Sequence, residues 1–272
     1  AVAEAWSGRE RPRWVLPMGA GIEYGLFLLD DAALAALLQD VQGLEDATLR
    51  GAAWITFQDA LLEEQLAPEA LLDRALASMA RERDEILLGR ILGITGDIFW
   101  HLIPEETRIA RAPEVEAALW RGVETASSST VKASFFSAYR NVASTPEAVD
   151  RLRRVWAREL TLPGLPLSES QEITLAEALA VRGVEGAEEL LDTQAARIEN
   201  PDRAERFDFV RPSLSGDPAV REAFFRSLKD DANRDREPWV LSGMGYLQHP
   251  LRRDHGAGLV REALELVEEI QR

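Results

Sequence analysis

From Asp30 onward the apolar residues recur at the three- and four-residue spacing of an amphipathic helix. After Glu69, the residues Leu71, Leu72, Ala75, Leu76 and Met79 fall on one face. After Pro218, Val220, Phe224, Phe225 and Leu228 do the same. Val149, Leu152, Val155 and Trp156 repeat the spacing, with Arg151, Arg153 and Arg154 on other faces. The punctuation agrees with helices. Proline has no amide hydrogen and is tolerated best in the first helical turn, and Pro68, Pro104, Pro146, Pro201, Pro218 and Pro238 all open apolar-periodic segments. Thr145, Asn200 and Asp217 stand where a side chain caps a first turn, and Ser168 with Gln171 has the form of a capping box. Each stripe needs a neighbour to cover it, which predicts roughly a dozen helices stacked as hairpins. The expected fold over 30–272 is all-α, an irregular αα-superhelix of HEAT or armadillo type. No strict period names a repeat family.

Residues 1–29 read differently. Trp14-Val15-Leu16-Pro17, Met18-Gly19-Ala20-Gly21 and Tyr24-Gly25-Leu26-Phe27-Leu28-Leu29 form two extended runs around a glycine turn, which predicts a β-hairpin. A lone hairpin is marginal in water, so this one is expected to be a linker or the remnant of a preceding β-domain. The chain starts at Ala1 without methionine or signal-peptide pattern, and its last helical pattern runs to Arg272 without a terminator. Both ends therefore read as cut from a larger polypeptide. Thr161 to Leu167, with two prolines and a glycine, reads as a long loop inside one domain.

Composition narrows the partners. Of 272 residues 46% are apolar, enough for a sizeable core, and Lys+Arg 31 against Asp+Glu 47 gives a net charge of −16. That charge repels phosphate backbones and anionic headgroups, which argues against nucleic acid and membrane surfaces. The absence of cysteine excludes disulfides and thiolate zinc sites and leaves a cytoplasmic or a secreted or periplasmic address open. No apolar run approaches the ~18 to 20 residues of a membrane span.

Catalytic patterns are scarce. Gly19, Gly21 and Gly25 miss the dinucleotide spacing, and no helix N-terminus follows to receive a pyrophosphate. The three histidines, His101, His249 and His255, do not form H-E-x-x-H, and His249 with His255 and Asp254 suits an inter-helix turn better than a metal. The doublets Glu63-Glu64, Glu105-Glu106, Glu188-Glu189 and Asp230-Asp231 point about 100° apart on a helix and do not converge. Arg197, Arg203, Arg206 and Arg211 are the candidate peptide-binding residues, because guanidinium forks hold carboxylates such as a peptide C-terminus. The commoner fate of such arginines is pairing within the chain, here with Asp202, Glu205 or Asp208.

Several phrases, taken in order, resemble the C-terminal region of bacterial zinc aminopeptidases of the M1 (gluzincin) family. They are Trp14 to Phe27, Asn200-Pro201-Asp202-Arg203, Arg206-Phe207, Asn233-Arg234 with Glu237-Pro238-Trp239-Val240, Tyr246-Leu247-Gln248-His249-Pro250-Leu251-Arg252, and Glu269-Ile270-Gln271-Arg272. The resemblance implies a non-catalytic helical bowl that closes over a catalytic domain of the same polypeptide and helps bind peptide substrates. It also implies that zinc lies in that other domain, with no cofactor, catalytic residue or metal ligand here. Gly243-Met244-Gly245 lacks the Glu-Asn pair of the family's amine-binding G-x-M-E-N loop. The alternative is a free-standing α-solenoid scaffold for a protein partner.

Overall fold

Helix starts follow the capping residues. Asp30, Asp46, Asp84, Thr145, Asn200 and Asp217 each accept a backbone amide in the first turn of the helix they precede. Ser168 and Gln171 form the expected capping box. Pro68, Pro146, Pro201 and Pro218 are first helical residues, Pro238 is second, and Pro104 stands just before its helix. The computed structural model describes residues 7–10, 12–19, 21 and 24–270, the side chains of 267–270 excepted.

The chain divides into two compact units, Ala1–Ala138 and Tyr139–Arg272. The first holds α1 (Asp31–Asp40), α2 (Ala47–Leu62), α3 (Pro68–Met79), α4 (Glu85–Asp97) and α5 (Glu105–Thr125); α6 (Ser129–Val142) contains the boundary. The second holds α7 (Pro146–Trp156), α8 (Glu169–Val181), α9 (Ala187–Arg197), α10 (Pro201–Leu214), α11 (Pro218–Ser227), α12 (Glu237–Leu247), α13 (Arg253–Gly256) and α14 (Val260–Ile270). Short 3₁₀ turns punctuate both, and α4 runs on into a π-helical stretch, Ile98–Leu102. The fold is all-α.

Among the described residues there is no strand, so the described part of the expected hairpin at 1–29 is not β-structure. The glycine turn itself is present, with the Gly19 amide on the Leu16 carbonyl and the Gly21 amide on that of Met18. The flanking runs do not pair with one another. Trp14 instead donates to Asp40 of α1 at 3.0 Å, beside Arg13, and Tyr24, Leu26 and Leu28 are exposed. A two-residue-period face with no third layer to cover it has little to hold it in a ribbon. The remaining residues of that prediction, 1–6, 11, 20, 22 and 23, lie outside the described residues.

Within each unit helices pack mainly on the next and the next but one. In the first, α1 lies on α2, α2 on α3 and α4, and α3 on α4 and α5; in the second, α8 contacts α7, α9 and α10, and α10 contacts α9, α11 and α12. Trp54, Phe57, Leu71, Leu72, Ile91 and Phe99 fill the first core, Trp54 and Phe57 meeting edge to face at 5.7 Å. Phe207, Val210, Leu179 and Leu191 fill the second, with Phe225, Val240 and Leu247 in a further cluster. Of the predicted faces, Leu71, Leu72, Ala75, Met79, Phe224, Phe225 and Leu228 are buried, whereas Val220, in the first turn of α11, is exposed.

Arg50 of α2 fastens the 80–85 link to this frame. Its guanidinium takes both oxygens of Glu82, at 2.8 and 2.7 Å, and the carbonyls of Leu44 and Glu45. Burial pushes the Glu82 carboxyl up, but the Arg50 hydrogen bond and charge, with the amides of Asp84 and Arg83, hold it below the ordinary carboxylate value.

Two helices touch at Gly122 of α5, where a methyl group would overlap the ring of Phe135 in α6. The substitution Gly122→Ala is therefore expected to destabilise the protein by about 1 to 3 kcal/mol in urea unfolding. Gly93→Ala, on an exposed face of α4 with open space around it, is expected to stabilise by up to about 1 kcal/mol. Equal effects of the two would contradict the packing described at α5 and α6.

Candidate functional site

The four arginines singled out in the sequence lie at the end of α9 and along α10, but they do not converge. Arg197 donates to the Trp156 carbonyl at 3.1 Å and stacks over the Trp156 ring at 4.5 Å. Arg203 holds Glu169 at 3.0 Å, Arg206 holds Glu177 at 2.6 Å, and Arg211 holds Asp192 at 2.6 Å with Glu188 at 3.7 Å. Their carboxylate partners thus come from α8 and α9 and are not Asp202, Glu205 or Asp208. All four serve as ties between helices, and only Arg203, its side chain 45% exposed, keeps much of its guanidinium toward solvent.

Arg206 belongs to a buried ionic site of the second unit. Glu177 is on the inner face of α8, amid Ile173, Ala176 and Ala180, with its side chain fully buried. One carboxylate oxygen accepts from Arg206 of α10, and the other accepts from the Tyr246 hydroxyl of α12 at 2.7 Å. Burial first, then the Glu177 charge, pushes the Tyr246 phenol far up, so it stays a protonated donor and is no base. Burial pushes Arg206 down, but the Glu177 charge and hydrogen bond prevail and raise it. Arg140, at the end of α6, also feels Tyr246 and Glu177 electrostatically, and its burial lowers it. This arrangement ties three helices together.

A second theme is the covering of helix C-termini, whose last carbonyls lack intrahelical donors. Arg182, just after α8, donates to the carbonyls of Arg140, Asn141 and Ala143 at the end of α6. Arg252 donates to Ser213 and Leu214 at the end of α10 and reaches Ala180 of α8. Arg221 takes the next two carbonyls, Ser215 and Gly216, at 2.8 and 3.0 Å. Burial, with the charge of Arg221, pushes Arg252 down to about 10, still protonated near neutrality.

The other sequence candidates resolve into structural roles. His249 caps the 3₁₀ turn Pro250–Arg252 through Nδ1, 3.2 Å from the Leu251 amide. His101 is exposed on the π-helical stretch, and His255 has a buried Nε2 without a hydrogen-bond partner among the described residues. Among the described residues no three His, Asp or Glu side chains group as metal ligands, and no helix is long and apolar enough to cross a membrane. Gly243 is helical in α12, where an added methyl would meet the Phe224 ring at 2.6 Å. Trp156 donates to Gln194 at 2.8 Å, and Trp239 packs on Phe209 at 5.8 Å with Arg236 over its ring.

Sequence reading passed over Glu177 and Arg182, and it met Tyr246 and Arg252 only within the family resemblance, without their structural role. One signal was available: a carboxylate on the apolar stripe of α8 between Ile173 and Ala180 demands a cation or donor from a neighbour. Glu177→Ala should cost about 3 to 5 kcal/mol in urea unfolding, because it leaves Arg206 uncompensated. Tyr246→Phe should cost about 1 to 1.5 kcal/mol. A loss below about 1 kcal/mol for Glu177→Ala would mean that the ion pair is not the tie it is described to be.

Comparison with known proteins leaves the lineage open: no protein-family model matches the chain, and no curated protein does.

Proposed function

We propose that this chain is the helical, non-catalytic C-terminal domain of an M1-family zinc aminopeptidase, its helices continuing as an irregular αα-superhelix of HEAT or armadillo kind. In this reading the wall it forms limits which peptides reach a zinc site in the catalytic domain of the same polypeptide. It holds the distal part of the substrate and excludes water while the N-terminal residue is removed. Arg203 is the peptide contact among the four arginines, since its guanidinium faces solvent; Arg197, Arg206 and Arg211 maintain the frame.

One observation carries the reading. Five of the residues on which the family resemblance rests also help to lock the second unit together: Asn200 caps α10, Arg206 and Tyr246 share Glu177, His249 caps its turn, and Arg252 covers the end of α10. Residues scattered through the sequence but joined in one frame are what a shared helical scaffold would retain. This supports a common fold, and the peptidase role is taken from the resemblance.

The test joins the coding frame to the activity of its product. The frame upstream of Ala1 is expected to encode H-E-x-x-H, a following glutamate and G-x-M-E-N. Its full product should release leucine from leucine p-nitroanilide in a chelator-sensitive way, while the 272-residue chain with added zinc should not. Hydrolysis by the chain alone would overturn the proposal. So would a frame that opens at Ala1 with no catalytic domain, and the free-standing α-solenoid scaffold would then take its place.

A further inference from the structure

The first unit contains a cavity of about 640 Å³ between α3, the 80–85 link, α4, the last turns of α5 and the start of α6. Its floor is apolar, formed by Met79, Leu88, Val131 and Phe135. Its rim carries Arg83 and Arg121, both exposed. These two differ from the arginines that tie helices together: neither guanidinium has a hydrogen-bond or ion-pair partner among the described residues.

The acidic groups at the cavity do not cancel them. Glu82 is neutralised by the two-pronged grip of Arg50, and its remaining lone pairs take the amides of Arg83 and Asp84. Among the described residues, Glu85 accepts only the Ser128 hydroxyl, at 3.2 Å. Two free guanidiniums against one lightly engaged carboxylate leave a single positive charge in excess, on a chain whose net charge is −16. The first turn of α6 adds the positive end of its dipole, although the Val131 amide is already taken by Ser128.

From this geometry we infer that the cavity binds an amphiphilic monocarboxylate, its apolar tail on the Met79–Leu88–Phe135 floor and its carboxylate between Arg83 and Arg121. The volume falls in the range of small-molecule sites. Guanidinium forks suit a planar carboxylate. One excess positive charge balances a monoanion, whereas a phosphate dianion would leave negative charge uncompensated beside Glu85. The site stands apart from the peptidase reading and does not depend on it.

Calorimetric titration of the full chain with octanoate tests this, with 1-octanol as the tail without charge and acetate as the charge without tail. Saturable one-to-one binding of octanoate is expected, with octanol and acetate each weaker by at least about tenfold. The double variant Arg83→Gln/Arg121→Gln alters only exposed side chains and should weaken octanoate by at least about tenfold while leaving octanol unchanged. Ala118→Trp, which fills the cavity from the α5 side, should abolish octanoate binding while its own unfolding temperature stays at that of the wild-type chain. Absence of saturable octanoate binding would overturn the inference. Equal affinity for octanol and octanoate, or an undiminished octanoate affinity in the double variant, would overturn it as well.

Discussion

A carboxylate with no water around it has to be matched by charge and hydrogen bonds from the protein, and Glu177 imposes that condition on the second unit. Its two oxygens are met from two different helices, by Arg206 of α10 and Tyr246 of α12. Sliding any one of the three helices by a turn would strand the charge, since apolar packing of Leu179, Phe207 and Val210 tolerates shifts that an ion pair does not. The pair thus contributes register more than net stability. The apolar core supplies the larger share of the latter.

Arginine does the corresponding work at helix ends. Arg182, Arg197, Arg221 and Arg252 each donate to carbonyls at the end of a neighbouring or preceding helix, where no intrahelical amide is available. A planar group with five donors can serve two or three such carbonyls at once, which a lysine ammonium on a flexible stem does poorly. The scarcity of lysine, only Lys132 and Lys229, is a compositional bias in the sequence, and the fold puts the resulting arginines to use.

What was legible in the sequence was local. Prolines in first turns, Asx and Thr caps and the three-four apolar spacing locate α7, α8, α10 and α11 closely, because these signals act within one turn of chain. The hairpin failed in its described part because extended runs need partners that sequence does not name, and Trp14 found Asp40. The arginine partners were misassigned for a related reason. Asp202, Glu205 and Asp208 are near in sequence, whereas Glu169, Glu177 and Asp192 are brought near by α8 and α9 packing on α10. Glu177 itself was visible as a charge on an apolar stripe, but its role required knowing which helix faced it.

The two units divide the functional readings. In the second, Glu177, Arg206 and Tyr246 form the frame; in the first, Arg83 and Arg121, without partners among the described residues, line a cavity with apolar Met79, Leu88 and Phe135.

The central claim, that Glu177 holds α8, α10 and α12 as one cooperative element, is tested most directly by native-state hydrogen exchange on Glu177→Gln. Protection of amides in all three helices is predicted to fall by a common factor, because loss of the carboxylate loosens them together. A fall confined to the turns of α8 around residue 177, with α10 and α12 unchanged, would contradict the account.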